Sequence, residues 1–300
     1  MSKIEFKDRV AIVTGAGGGL GRTHALALAK RGVKVVVNDL GGSVTGTGGS
    51  LSAAQQVVEE IKAAGGEAIA NGANVTNRED VKKMVANTID AYGKVDILVN
   101  NAGILRDKSF AKMDLDDFAM VMDVHLMGSV NCTKAVWDHM REREYGRIVM
   151  TSSSSGLYGN FGQSNYGAAK MALVGLMNTL HLEGIRKGIH TNCLAPVAWT
   201  RMTSDLFPPE AEAVFKTEYV SEGLVYLCND NAPSRLVLAA GARGFAAAKT
   251  YETIGKSFAE GDVTADNVAA HIDAITDADG QEEFDNGGLQ GAKFAGRIMG

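Results

Sequence analysis

The feature that most constrains the fold of this chain is a β-branched run followed at once by clustered glycines and then by helix-forming residues. The run is Val10–Thr14, and the turn begins at Gly15. Glycines in such a turn let the backbone approach a pyrophosphate, and the helix N-terminus adds N–H donors and a partial positive charge. Glycine clusters also form ordinary tight turns, but the order strand, turn, helix favours a dinucleotide site. Its predicted contacts are Gly15, Gly19, Leu20 and Gly21.

Strands and helices alternate along most of the chain. The further predicted strands are 34–39, 67–71, 96–99, 147–151, 189–194 and 236–239. The further predicted helices are 51–64, 78–92, 115–141, one that begins near Asn165, and 220–228. This alternation is typical of βαβ units, so we predict an α/β fold with a doubly wound, Rossmann-like parallel sheet.

A single domain is predicted at residues 1–245, because 300 residues with 45% hydrophobic content can bury one large core. The pattern weakens in residues 246–300, which are predicted to form a partly helical C-terminal extension. One helix is expected at Ala265–Ile275. The acidic and then glycine-rich tail is expected to be poorly ordered.

Charge, cysteine content and hydropathy limit the possible function classes. A net charge of −5 argues against a nucleic-acid partner. Cys132, Cys193 and Cys228 have no metal-binding spacing, and their odd number argues against a disulfide framework. We therefore predict buried free thiols and no metal site. No apolar run approaches the length of a membrane helix, and the charged N-terminus does not resemble a secretory signal, so the expected location is cytoplasmic, with no membrane partner.

An aspartate closes the second predicted strand, 24 residues beyond Gly15. A carboxylate at this position accepts hydrogen bonds from the adenosine ribose hydroxyls and repels a 2′-phosphate. Asp39 therefore favours NAD over NADP as the cofactor, although a solvated aspartate at a strand end is the simpler alternative. Asn74 and Val75 follow the third strand and are expected near the adenine.

The strand at 96–99 ends in Asn100, Asn101, Ala102 and Gly103. Asparagines at a strand end can bond the backbone of neighbouring strands, while alanine and glycine leave room for a flat ring. Asn101, Ala102 and Gly103 are therefore predicted cofactor contacts. An ordinary turn is the alternative for such a tetrapeptide.

A tyrosine and a lysine four residues apart indicate proton-transfer chemistry. Tyr166 and Lys170 share one helix face, and Ser153 lies thirteen residues before the tyrosine. A phenol has an ordinary pKa of about 10, and a nearby ammonium lowers that pKa. A serine hydroxyl from an adjacent loop can hold a carbonyl or hydroxyl oxygen beside the phenol. Surface helices also carry Tyr and Lys at this spacing, so the pair by itself is a weak signal.

Together these motifs resemble the short-chain dehydrogenase/reductase family over roughly residues 5–240. The matching residues are Thr14, Gly15, Gly19, Gly21, Asn100–Gly103, Ser153, Tyr166 and Lys170. By this resemblance Tyr166 is the general acid/base and Ser153 binds the reacting oxygen. Lys170 lowers the pKa of the phenol and holds the nicotinamide ribose, so both Tyr166 and Lys170 also contact the cofactor. The family further implies a homodimer or homotetramer.

Longer segments resemble one branch of that family. They are VVVNDLGG, NNAGILRDKSF and SGLYGNFGQSNYGAAK. These are similar to the (3R)-hydroxyacyl-CoA dehydrogenase domain of peroxisomal multifunctional enzymes of type 2, a group also known as a 17β-hydroxysteroid dehydrogenase. The likeness implies NAD-dependent interconversion of (3R)-3-hydroxyacyl-CoA and 3-ketoacyl-CoA. A hydroxysteroid dehydrogenase is the alternative enzyme, and a non-catalytic NAD sensor is the alternative from another class.

A CoA substrate also needs cations near the cleft for its nucleotide phosphates. Arg106 and Lys108 follow the asparagine motif, and Arg201 lies in the loop after the sixth strand. These three are the candidates, with ordinary solvated surface charges as the alternative.

Two positions depart from the family pattern. Many members have an asparagine three residues before the glycine of the long helix, where it supports a water-mediated proton relay, and this chain has His125 there. We interpret His125 as a variant relay residue in the catalytic set. A structural histidine that bonds the backbone at a helix kink is the alternative. Pro196 is expected to contact the cofactor, but Val197 replaces the glycine that usually follows it.

Overall fold

The structure is a computed structural model, and it describes residues 3–43, 45–48, 50–200, 202–203 and 208–299. The chain divides into two compact units, Met1–Ala247 and Ala248–Gly300. Each unit is described by itself.

The first unit is built on one eight-stranded sheet. Its strands are β1 Val10–Thr14, β2 Lys34–Asn38, β3 Ala68–Asn71, β4 Ile97–Asn100, β5 Gly146–Thr151, β6 Ile189–Val197, β7 Val237–Gly241 and β8 Gly244–Ala248. They lie in the order β3-β2-β1-β4-β5-β6-β7-β8, and the pairs from β3 through β7 are parallel. The predicted α/β fold with a doubly wound parallel sheet is confirmed.

Helices follow most of the strands. In the first unit they are α1 Gly19–Ala29, α2 Ser52–Ala63, α3 Arg78–Tyr92, α4 Leu115–Met122, α5 Gly128–Glu142, α6 Ser154–Tyr158, α7 Ser164–Gly184 and α8 Thr217–Cys228. Local sequence fixes the ends of α3. Asn77 accepts hydrogen bonds from the N–H groups of Glu79 and Asp80, and Gly93 ends the helix with a φ of 79°.

The sheet is buried, and its strand order creates a crevice. β1 and β4 are buried at every position, as expected for parallel strands covered on both faces. From β1 the chain builds the sheet outward through β2 and β3, and it then returns to add β4 on the other side. Ligands of such sheets bind at this switch point, outside the carboxyl ends of the strands. The glycine turn after β1 and the asparagine motif after β4 meet there.

The structure differs from the sequence prediction at the long helix 115–141. It consists of α4, a π-helical turn at Asp123–Met127 and α5. The hydrophobic pattern continues through the turn, so periodicity did not indicate the interruption. The π-turn carries His125, and such turns are frequent at functional sites.

The last strand was not predicted either. Ala242 and Arg243 form the two-residue turn between β7 and β8, with φ values of 46° and 70°. Both central residues of a type I′ hairpin turn have positive φ, and Gly or Asn usually occupy them. Without those residues the sequence carries no hairpin signal.

The second unit contains three α-helices among its described residues, α9 Ala265–Ala270, α10 Ile272–Thr276 and α11 Gly287–Met299. The single helix expected at Ala265–Ile275 is thus two helices that meet at His271. A helix also occupies the glycine-rich tail for which poor order was expected.

The three cysteines are buried and free, as predicted. Burial raises the pKa of each thiol to about 12. Within the described ranges, no helix has the length and apolar character to cross a membrane, and no group of three or more His, Cys, Asp and Glu side chains could hold a metal ion.

Candidate active site

The residues predicted for cofactor binding and catalysis line a single cleft of about 700 Å³ at the carboxyl edge of the sheet. The lining includes Gly15, Gly19, Leu20, Gly21, Asp39, Asn74, Val75, Asn101, Ala102, Gly103, His125, Ser153, Tyr166, Lys170 and Pro196. The fold thus brings together side chains that lie far apart in the sequence.

The glycine turn leaves no room for larger residues. A Cβ at Gly21 would lie 2.1 Å from the carbonyl oxygen of Gly15, and Gly15 itself has a φ of +63°. At the start of α1, the N-cap residue Gly18 provides no side-chain hydrogen bond to the first turn. The N–H groups of that turn, beside the cleft residues Gly19 and Leu20, are therefore available to an anion.

Asn101 and Thr14 join β4 to the glycine turn. The Asn101 side-chain amide donates to the carbonyl oxygens of Thr14 and Gly15 at 2.9 and 3.1 Å. The Thr14 hydroxyl oxygen accepts the N–H groups of Asn101 and Ala102, both at 3.0 Å. The amide of Asn101 thus supports the turn through the backbone. Thr14 was given no such role from the sequence, although it is the one polar residue in the run VAIVT.

Asp39 lies against the glycine turn from the β2 side. Its Oδ2 accepts the Gly17 N–H at 2.7 Å, and its Oδ1 accepts the Gly41 N–H at 2.6 Å. A Cβ at Gly17 would lie 2.8 Å from the Asp39 carboxylate, so Gly17 is required there as well. Each carboxylate oxygen keeps a further lone pair, and the side chain borders the cleft.

Asn74 and Val75 form the neighbouring wall. Asn74 Oδ1 accepts hydrogen bonds from the Thr76 N–H and hydroxyl, both at 3.0 Å. Val75 is buried, and a Cβ at Gly128 would lie 2.7 Å from its side chain. Val75 therefore fixes the wall by packing against the start of α5.

Ser153, Tyr166 and Lys170 come from three turns of the chain that meet in the cleft. Ser153 precedes α6, and its Oγ accepts the Ser155 N–H at 3.2 Å. Tyr166 lies in the first turn of α7. Lys170 lies one turn later, with Nζ 5.4 Å from the centre of the tyrosine ring. That Nζ donates to the Thr151 carbonyl oxygen at 2.6 Å.

The electrostatics of the pair differ from the sequence prediction. Burial raises the pKa of Tyr166, the nearby charge of Asp107 raises it further, and hydrogen bonding with Ser153 lowers it. Burial lowers the pKa of Lys170 to about 7. The pKa of the phenol is thus raised in the protein alone, and Lys170 is not among the causes of the shift, contrary to the lowering predicted from the sequence. An ammonium that titrates near neutral pH can itself accept and release a proton.

For His125 the sequence allowed two interpretations, a relay residue and a structural histidine that bonds the backbone, and the structure has features of both. It lies in the π-turn, and its Nε2 is 2.8 Å from the Ile104 carbonyl oxygen and 3.0 Å from the Ile104 nitrogen. Its ring meets the Tyr166 ring edge-on at 5.1 Å. Burial lowers the pKa of His125 to about 3, so the ring is neutral at physiological pH. Among the described residues Nδ1 is buried and has no hydrogen-bond partner, and His125 is one of the residues that line the cleft.

A model of the short chain dehydrogenase family matches residues 9–211, a range that contains every cleft residue named above. The chain belongs to the short-chain dehydrogenase family. It is therefore an oxidoreductase, and the family resemblance inferred from the motifs is confirmed.

Individual relatives extend this result. The chain is 57% identical over 228 residues to peroxisomal multifunctional enzyme A of Dictyostelium discoideum, covering 76% of this chain and 51% of that protein. It is similar to the solved structure of full-length peroxisomal multifunctional enzyme type 2 from Drosophila melanogaster, with a TM-score of 0.81 and 34% identity over 98% of this chain and 50% of that one. The chain thus spans about half the length of these multifunctional enzymes. The predicted likeness to the type 2 enzymes is confirmed.

A further similar structure carries ligands. It is a 7α-hydroxysteroid dehydrogenase complexed with NADH and 7-oxo glycochenodeoxycholic acid, with a TM-score of 0.72 and 27% identity over 80% of this chain and 95% of that one.

Two of the candidate phosphate-binding cations of this dehydrogenase, Arg106 and Lys108, are not among the residues that line the cleft. Arg106 forms an ion pair with Asp117 and donates to the Thr45 carbonyl oxygen at 3.1 Å. Lys108 is exposed, and its backbone N–H donates to the Gly162 carbonyl oxygen at 2.9 Å. Arg201 lies outside the described residues. The charge of Arg106 is therefore already engaged by Asp117.

The substrate side of the cleft contains polar residues that the sequence reasoning did not single out, namely Ser155, Asn160 and Gln163. They lie in the segment before Tyr166, where no strand or helix periodicity marks them. On the opposite wall, Pro196 and Val197 extend β6 and pair with Ala240 and Gly241 of β7. The valine that replaces the usual glycine thus continues the strand.

Proposed function

We propose that this short-chain dehydrogenase is an NAD-dependent (3R)-3-hydroxyacyl-CoA dehydrogenase that forms 3-ketoacyl-CoA. The convergence of Ser153, Tyr166 and Lys170 beside the glycine turn is the observation that carries the reaction type. The substrate class rests on the similarity to peroxisomal multifunctional enzymes.

In the oxidative direction each of these side chains has a separate task. The Ser153 hydroxyl donates a hydrogen bond to the substrate oxygen and holds it beside the phenol. Tyr166 takes the hydroxyl proton in its phenolate form, which the positive charge of bound NAD⁺ would favour against the raised pKa of the phenol in the protein alone, and Lys170 and His125 border the path by which that proton leaves. NAD, when bound, accepts the hydride from the same carbon, so alcohol and NAD⁺ give ketone, NADH and one proton.

Three features of the cleft fit NAD. The glycine turn gives the close approach that a pyrophosphate needs, and the uncapped start of α1 supplies N–H donors. Each oxygen of the Asp39 carboxylate accepts one backbone N–H and keeps a further lone pair for a ribose hydroxyl, and the carboxylate would repel a 2′-phosphate.

We expect kcat/KM to be much higher with NAD than with NADP, and Asp39→Ala should narrow the difference by removing the repulsion. The control is Asp90→Ala, which removes the same charge from an exposed position on α3. Comparable kcat/KM values for both cofactors in the wild type would contradict the assignment of Asp39.

A hydroxysteroid dehydrogenase is the second candidate, favoured by the similar steroid-complexed structure. NADH formation at 340 nm, measured with a panel of (3R)-3-hydroxyacyl-CoA thioesters and hydroxysteroids, separates the two. We expect turnover of the thioesters. Turnover of steroids alone would favour the second candidate, and NAD binding without turnover of any alcohol would favour a sensor.

We also propose that the enzyme is a cytoplasmic homodimer or homotetramer. In support of an oligomer, a groove between α5 and α7 is lined by four apolar residues, Val130, Trp137, Leu176 and Leu180, together with Thr133, Lys134 and Glu183. Light scattering on the purified protein tests the mass, and a monomer at all concentrations would contradict it.

A further inference from the structure

A chain of hydrogen bonds joins the loop after β4 to the serine of the active site. The Gln163 Nε2–H donates to Asp107 Oδ2 at 2.6 Å. On its other side, Gln163 Oε1 accepts the Ser155 hydroxyl at 2.7 Å and the Asn160 amide at 3.1 Å. The Ser155 N–H in turn donates to Ser153 Oγ at 3.2 Å. Gln163 and Ser155 are buried, so these contacts compete little with water.

The chemistry of the groups fixes the orientation of the Gln163 amide. An ionised carboxylate only accepts hydrogen bonds, so the Gln163 amide must turn its NH₂ group toward Asp107 and its oxygen toward Ser155. Ser153 Oγ already accepts the Ser155 N–H. The Ser153 O–H proton is thus left to donate to an oxygen in the cleft.

The same loop also holds the start of α7. The Asn165 side-chain amide donates to the Arg106 carbonyl oxygen at 3.0 Å, and its Oδ1 accepts the Tyr166 N–H at 2.7 Å. The backbone N–H of Lys108 donates to the Gly162 carbonyl oxygen at 2.9 Å. The segments that carry Ser153 and Tyr166 are therefore both tied to the loop that carries Asp107.

We propose that Asp107 and Gln163 are positioning residues of the reaction. Gln163 holds the side chain of Ser155, and thereby the position of the Ser155 backbone N–H that Ser153 Oγ accepts, while Asp107 orients Gln163 and places a negative charge near the phenol. This inference rests on the proposed alcohol–ketone chemistry for the identity of the reacting oxygen.

The effect of the Asp107 charge on the pKa of Tyr166 depends on the other groups that face the phenol. The groups that face the phenol are Lys170 on the same helix, His125 from the π-turn, Ser153 from the loop after β5 and Asp107 from the loop after β4. His125 is neutral, because burial lowers its pKa to about 3. The Asp107 charge raises the pKa of Tyr166, so its removal should move the titration of the phenol to lower pH.

Two variants separate the charge from the hydrogen-bond chain. Asp107→Asn keeps an oxygen that can accept the Gln163 amide but removes the charge. The pH profile of kcat should therefore move to lower pH, and the displacement should shrink at high salt because Asp107 is exposed.

Gln163→Met keeps the volume of the side chain but removes its hydrogen bonds to Asp107 and Ser155. The value of kcat should therefore fall roughly 10- to 100-fold through misplacement of Ser153, while the pH profile of kcat stays unchanged. Asp116→Asn removes an equal charge from an exposed position on α4 and serves as the control.

A titration without substrate makes the test independent of the proposed function. The ring-carbon NMR signal of Tyr166, assigned by its loss in Tyr166→Phe, should titrate at lower pH in Asp107→Asn than in the wild type and Asp116→Asn. An unchanged titration in Asp107→Asn, or wild-type kcat in Gln163→Met, would overturn the inference. If Gln163→Met fails to fold, the titration of Tyr166 in Asp107→Asn still tests the proposed role of Asp107. If the wild type oxidises no hydroxyacyl-CoA while the titration moves as expected, the substrate assignment fails and the role of Asp107 stands.

Discussion

The two ends of the central sheet both bury charged side chains, but these side chains have many hydrogen-bond and ion-pair partners at the amino end and few at the carboxyl end. At the amino end of β4, the fully buried Asp96 accepts the Val10 N–H at 2.9 Å. Three cations, Arg9, Lys94 and Arg143, lie within 4 Å of its carboxylate. Every part of the Asp96 charge is thus matched by a protein group.

Arg147 at the same end follows the same rule. Its guanidinium donates to the carbonyl oxygens of Asn229, Gly146, Gly188 and Asp230 at 2.7 to 3.0 Å. It also lies over the Tyr145 ring, with Cζ 4.5 Å from the ring centre. A buried cation with four of its five N–H donors bound to backbone carbonyl oxygens is held rigidly by the protein itself.

The carboxyl end is incomplete by comparison. Lys170 is as buried as Arg147, yet a single carbonyl oxygen, that of Thr151, accepts from its ammonium among the described residues. His125 Nδ1 and Thr151 Oγ1 have no partner within the same part of the chain. Buried polar groups without partners are costly, and beside a cleft they can pair with a ligand. Among the described residues, His24 Nε2 and Thr191 Oγ1 also lack partners although they do not line the cleft, so the contrast rests mainly on Lys170. The difference assigns stability to the amino end and chemistry to the carboxyl end.

The largest effect that tests this difference is expected at Tyr166. Tyr166→Phe removes the transferable proton from the carboxyl end, so kcat should fall about 10²- to 10⁴-fold with little change in NAD binding or in the free energy of unfolding. Steady-state kinetics and chemical denaturation measure both quantities. Tyr226→Phe on α8 is the control for loss of a hydroxyl. Retention of more than a tenth of the wild-type turnover would show that another group carries the proton.

The opposite result is expected at Asp96. Asp96→Ala leaves the Val10 N–H without its partner and three cations without their anion. The free energy of unfolding should drop by about 3 kcal/mol, while kcat of the folded enzyme stays near the wild-type value. Asp138→Ala removes an exposed ion-pair partner and should cost less than about 1 kcal/mol. A large loss of kcat in the folded Asp96 variant would erase the distinction between the two ends.

A smaller effect concerns two buried histidines. Burial lowers the pKa of His24 and of His125 to about 3 from an ordinary value of 6.5. The unfolded chain takes up these protons below pH 6.5 and the folded protein does not, so stability falls as the pH drops from 6.5 towards 3. Each histidine should contribute a loss of about 2 kcal/mol between pH 6.5 and 5.

The effect on stability can be measured at His24 without a change in catalysis, because His24 lies outside the cleft. Its Nδ1 is 2.8 Å from the Ser221 hydroxyl between α1 and α8, and it is not among the cleft residues. Denaturation of His24→Asn at pH 7 and pH 5 should show a weaker pH dependence than the wild type, at unchanged kcat. Equal pH dependence in both proteins would mean that His24 is protonated in the folded state.

The smallest effect is expected at His125. His125→Asn should stay active, because an amide can also orient a water, while His125→Ala should lose about 10-fold in kcat, the equivalent of one hydrogen bond to a charged group. Turnover of the alanine variant at the wild-type level would leave His125 with a structural role alone.

Some features of the site could be predicted from the sequence and others could not, and the difference depends on whether the residues belong to one local motif. The glycine turn, Asp39, Ser153, Tyr166 and Lys170 could be predicted because each lies at a characteristic distance in the sequence from another residue of its motif. The hydrogen-bond chain from Asp107 through Gln163 to Ser155 joins segments whose proximity depends on the whole sheet, so no local pattern indicated it. The engagement of Arg106 by Asp117 was missed for the same reason: a charge in a sequence does not reveal its partner.

The most direct test of the account is the initial rate of NADH formation from the two epimers of one 3-hydroxyacyl-CoA at equal concentration. The account predicts that the wild type oxidises the (3R) epimer and leaves the (3S) epimer unreacted. Oxidation of the (3S) epimer, or no reaction of the (3R) epimer by an enzyme that oxidises steroids, would contradict it.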